Sequence, residues 1–191
     1  MSKKGTASEV EELDFVQDNE LRKTVEDAIQ YIYIIFDQAK NSESELYKEE
    51  TYRVIILYVI SVIEAILLYV LKSRNEQITY IEYKYITSLP EGFSHSEVSK
   101  SSVVVAVPKK QIKTDSQIGL VELVDFMKDG GLMKDQFAKK ILVANDIRNT
   151  FHLTKSHSRI KCEIGTVEKS LELLIKVIKS APKAIVFTKE K

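Results

Sequence analysis

The sequence predicts a mainly α protein: a helical bundle of four to five helices with a small β-hairpin insertion. Three observations carry this expectation. Apolar residues recur at helical spacing over long stretches in both halves of the chain. Six glycines and three prolines in 191 residues are too few punctuation marks for a turn-rich sheet protein. One stretch, 77–112, changes character and holds runs of β-branched and aromatic residues.

Taken in order, residues 8–40 read as one long amphipathic helix, with Leu13, Val16, Leu21, Val25, Ala28, Ile32, Ile35 and Phe36 broadly on one face. Ser8 and Glu11 have the spacing of a capping box. Asn41 and Ser42 interrupt the pattern, and Ser44 starts a second helix that carries Glu45 in its first turn and runs to about Ser73. Two long helices on a short loop form an antiparallel hairpin. From Val54 to Leu71 the second helix is apolar nearly all round, so it belongs at the centre of the bundle.

The stretch 78–86 and the run Val103-Val104-Val105-Ala106-Val107 read as two strands, separated by the loop-forming Pro90-Glu91-Gly92-Phe93-Ser94-His95-Ser96. They form an insertion, 77–112, within a single helical domain spanning 1–191. Helical spacing resumes at Ile118, Val121, Val124 and Phe126, stops at Gly130-Gly131, and restarts over 134–153. A final helix over 166–179 turns Val167, Leu171, Leu174, Ile175 and Ile178 inward. It ends before Ala181-Pro182 and an apolar tail at 185–187.

Composition narrows the function classes. A hydrophobic share of 44% and a charged share of 29% describe a globular chain that folds without a cofactor. The single cysteine, Cys162, excludes an intramolecular disulfide and a zinc site of several thiolates, which points to a reducing compartment. Acidic residues follow the first few positions where a secretory leader would be apolar, so a cytoplasmic location is expected. The 54–71 stretch has borderline membrane length. Glu64 near its centre would cost roughly 2.5–3.5 kcal/mol there, so it reads as a core helix with no membrane partner.

Net charge is zero overall but strongly polarised. Residues 1–50 hold six Lys/Arg against thirteen Asp/Glu, and residues 134–191 hold thirteen against six, so the ends carry −7 and +7. A basic C-terminal segment attracts a polyanion such as RNA. The same asymmetry equally suits an acidic helix docked on a basic one, within the chain or across a dimer.

The densest chemistry lies in Arg148-Asn149-Thr150-Phe151-His152-Leu153. Arg148 and His152 are four residues apart, so on a continuous helix they share a face and set a phosphate-binding guanidinium beside a titratable imidazole. A packing or capping histidine is the plainer reading. Glu64 adds a constraint, because a carboxylate amid apolar residues is costly unless paired, and Arg148 is the cation that suits it in a bundle of this order. A groove to solvent, or a Lys or Tyr partner, would serve it as well. Metal-ligand spacings and glycine-rich phosphate loops do not occur, and Tyr80, Tyr83 and Tyr85 suit base stacking or a sheet face.

An Arg-Asn-x-x-His-Leu motif between helices of an otherwise helical protein resembles the HEPN superfamily, over roughly 8–75 and 117–180, with 77–112 as an insertion. The interval between Arg148 and His152 is shorter than that family's usual one. The resemblance implies RNA binding or metal-independent endoribonuclease activity without cofactors, in a toxin–antitoxin or anti-phage defence setting. It also implies a homodimer and a cognate antitoxin or regulatory protein. In that chemistry a ribose 2′-hydroxyl attacks the adjacent phosphate, His152 carries the proton, Arg148 holds the phosphate, Asn149 orients its neighbours and Glu64 positions Arg148. The alternative is a non-catalytic helical dimerisation or interaction module, with Arg148, Asn149 and His152 in a structural hydrogen-bond network.

Overall fold

The structure, a computed structural model, describes residues 11–85, 106–151 and 161–186. Among the described residues it is a mainly α fold of five α-helices with one two-stranded antiparallel sheet. The helices are α1 (Asn19–Asn41), α2 (Glu45–Ser73), α3 (Leu120–Asp129), α4 (Asp135–Asn149) and α5 (Ile164–Val186). The strands are β1 (Thr79–Tyr85) and β2 (Ala106–Ile112). The chain divides into two compact units, one of residues 1–76 with 119–191 and the other of Gln77–Ile118.

In the helical unit, α2 packs against each of the other four helices. Ile55, Ile56, Val59, Ile60, Ile63 and Ile66 are all but sealed from solvent. Its girth is apolar because it has neighbours on several sides, the arrangement its sequence demands. It is also the one helix, among the described residues, long and apolar enough to cross a membrane, and 56% of its most apolar window is buried inside the protein. Ser44 caps its start by accepting from the Tyr47 N–H. Its end is a Schellman motif: the Asn75 N–H donates to Lys72 O, the Glu76 N–H to Leu71 O, and Asn75 takes a left-handed φ of 53°. After α3, Gly131 (φ 70°) closes the same motif, with Leu132 N–H donating to Met127 O at 2.8 Å.

Several boundaries differ from those that the sequence predicts. Ser8 lies outside the described residues, and α1 begins only at Asn19, because the Asp18 carboxylate accepts from both Glu20 N–H and Leu21 N–H at 3.0 Å. Leu13 and Val16 nevertheless bury, in a 3₁₀ turn (Glu11–Leu13) and the short link after it, which Tyr69 fastens through Phe15 O and Gln17 N–H. The fourth helix ends at Asn149 rather than near 153. There the Thr150 hydroxyl turns back to donate to Ile147 O at 2.7 Å, competing with the ladder.

The last helix starts at Ile164 and passes through Pro182 instead of stopping before it. Pro182 forfeits one backbone donor, but Val177, Ile178 and Ala181 are buried, and Arg74 donates to Ala184 O at 2.6 Å. Packing therefore outweighs the local penalty.

In the second unit, β1 and β2 pair in register from Thr79↔Ile112 to Tyr85↔Ala106. The second strand lies further along than 103–107, since the ladder runs through Lys109, Lys110 and Gln111. Val103, Val104 and Val105 lie outside the described residues. Pro108 is accommodated because each strand of a two-stranded sheet keeps an open edge.

Candidate functional site

The final turn of α4 sets Arg148 against the middle of α2. Arg148 Nη1 lies 3.5 Å from Glu64 Oε2, with the two side chains 30% and 32% exposed. The pairing argued from the cost of a carboxylate in an apolar helix is thus present, bridging elements 84 residues apart. It is neither sealed nor fully solvated, so the guanidinium is oriented by Glu64 while part of it still faces water. A planar fork held this way can accept a second anion.

Asn149 is the last residue of α4 and is half-buried. His152 lies outside the described residues, as do His95 and His157. The expected Arg148–His152 alignment requires a helix continuing to 153; α4 ends at Asn149, and His152 itself lies outside the described residues.

A second cationic centre escaped the sequence reading. Arg53, in the third turn of α2, is only 6% exposed. Its guanidinium donates to Glu49 and, at 2.8 Å, to Glu50. It also sits 5.8 Å from the centre of the Phe151 ring, a cation–π distance. Cys162 lies close to Arg53 and is nearly sealed from solvent. Burial pushes the thiol above its ordinary value, while the Arg53 charge pulls against that shift. The surroundings therefore favour the neutral thiol. Arg53 Nε has no hydrogen-bond partner among the described residues, so the buried charge is held by its fork alone. The only signal was the Glu49-Glu50-x-x-Arg53 spacing, which resembles an ordinary surface pair.

Two cavities flank these centres. One, of about 560 Å³, opens beside Cys162 and is lined by Lys40, Lys48, Lys161, Glu45, Glu49 and Tyr52. Lys48 and Glu45 neutralise each other there at 2.8 Å. The other, of about 580 Å³, is a groove between α4 and α5 with lysines along both walls. Among the described residues, no group of three or more His, Cys, Asp or Glu is placed to hold a metal ion. No family model, curated protein or solved structure matches this chain.

Proposed function

We propose that this is a HEPN-like protein that binds RNA or cleaves it as a metal-independent endoribonuclease, in a toxin or anti-phage defence role in the cytoplasm. The observation that carries the reading is the half-open Glu64–Arg148 pair. In this reading Arg148 takes a phosphate oxygen with the face of its fork that Glu64 leaves free. A ribose 2′-hydroxyl attacks that phosphate, and His152 accepts its proton and returns one to the leaving 5′-oxygen. Asn149, at the helix end beside Arg148, orients the ribose or the imidazole. The partners of this reading are RNA, a second copy of the chain and a cognate antitoxin or regulatory protein.

The test is incubation of the purified protein with total RNA in the presence of a chelator, beside Arg148→Ala and His152→Ala. Expected is cleavage by the wild type, its loss in both variants, and thermal midpoints close to the wild type for His152→Ala. Intact RNA with the wild type, together with no measurable RNA binding, overturns the reading.

A second reading, a non-catalytic dimerisation or interaction module, is favoured by a separate observation. Tyr31 and Ile34 of α1 and Leu57 and Tyr58 of α2 are 39–48% exposed, and the two tyrosine rings meet at 5.1 Å. Contiguous apolar exposure of this kind marks an interaction surface.

A further inference from the structure

We infer that two copies of this chain associate by seating the acidic outer face of α1 of one copy in the lysine-walled groove between α4 and α5 of the other. The inference needs neither reading of the Arg148 site to hold, because Arg148 and Glu64 do not line the groove.

The groove has two chemistries. Lys139 and Lys140 stand on the α4 wall and Lys169 and Lys176 on the α5 wall, all exposed. Glu172 is the acid among them and is engaged by Lys176 at 3.7 Å. Between the walls, Val143, Ile147 and Leu173 form an apolar floor, with Val143 59% exposed. A nucleic-acid backbone would use the lysines but leave that floor wetted. An amphipathic helix with acidic flanks satisfies both.

The same chain displays such a helix. On the side of α1 turned away from α2, Glu20, Asp27 and Asp37 are exposed, with Lys23 as the cation among them. Ile34 stands out between them, 48% exposed, and Tyr31, 43% exposed, lies at the edge of this face, where its ring meets Tyr58 of α2. Among the described residues the groove is lined by α4 and α5 alone, so α1 of a copy does not lie in that copy's own groove. The opposite charge rims around these two apolar strips therefore meet between copies. Exchanging the contact reciprocally closes a two-fold dimer.

The experiment is sedimentation equilibrium of the full chain at about 50 mM and about 500 mM salt, with two charge reversals: Lys140→Glu/Lys169→Glu in the groove and Asp27→Lys/Asp37→Lys on α1. All four positions are exposed, and circular dichroism verifies that each variant is folded. The wild type is expected to dimerise at low salt and to weaken at least about tenfold at high salt. Each reversed variant alone is expected to be monomeric, and their equimolar mixture to dimerise, since both contacts in the mixed pair are again complementary. A monomeric wild type at low salt overturns the inference, as does a dimer in either reversed variant or a mixture that stays monomeric. A single-stranded RNA oligomer is titrated in parallel. Loss of RNA binding in Lys140→Glu/Lys169→Glu with the dimer intact would assign the groove to nucleic acid and likewise overturn it.

Discussion

Removing the charge of Glu64 is the most direct probe of the bridge between α2 and α4. At the 3.5 Å separation of Glu64 Oε2 and Arg148 Nη1, the bare Coulomb energy is about 1.2 kcal/mol in bulk water. At the effective dielectric of a protein surface it is about 4.7 kcal/mol. Both side chains are about one-third exposed and the contact is at the long end of an ion pair, so solvent screening holds the net coupling near the lower figure. A double-mutant cycle of Glu64→Gln, Arg148→Met and the pair, followed by urea unfolding, is expected to give a coupling of about 1 kcal/mol. Glu64→Gln alone then lowers the thermal midpoint by roughly 2–4 °C for a domain of this size. Glu64→Ala, which also removes packing, costs more than an exposed substitution. A coupling below about 0.3 kcal/mol would refute the argument that the buried end of the carboxylate requires this cation.

Three further outcomes concern the helix ends and the thiol. Asn75→Gly is expected to raise, and Gly131→Ala to lower, unfolding free energy by up to about 1 kcal/mol, since both positions hold left-handed φ that a side chain resists; urea titration reads both. Cys162 is expected to react with a thiol-specific disulfide reagent at mildly alkaline pH only after denaturation, because burial both shields the sulfur and disfavours the thiolate; rapid labelling of the folded protein would contradict its placement.

The amount legible in the sequence tracks how local the governing interaction is. The α1–α2 hairpin, the hub position of α2 and the Gly131 stop are written in periodicity and cap residues that act within a few positions of themselves. Glu64–Arg148 was legible across 84 residues because an isolated carboxylate in an apolar helix poses a demand that few groups can meet. What failed was the use of spacing where a stronger neighbour decided the outcome. Leu13 and Val16 keep helical spacing yet sit outside α1, since Asp18 is the better cap. The pattern ran on past Asn149, while Thr150 folded back on Ile147. Pro182 has the local character of a stop, yet the buried Ile178 and Ala181 carry α5 through it. Arg53 and the α4–α5 groove were illegible for a different reason. Arg53 shares its pattern with surface pairs, and Lys139 meets Lys169 only after the chain has folded back on itself.

The hub position of α2 also sets a problem of timing during synthesis. Its apolar girth is complete once Ser73 is made, but its largest partner surface, α5, is not finished until Val186, and the tether from Arg74 to Ala184 must wait as long. At a ribosomal rate of roughly 5–20 residues per second, the nascent helix stays partly undressed for on the order of 10 s, an interval in which holding factors or premature self-association compete for it.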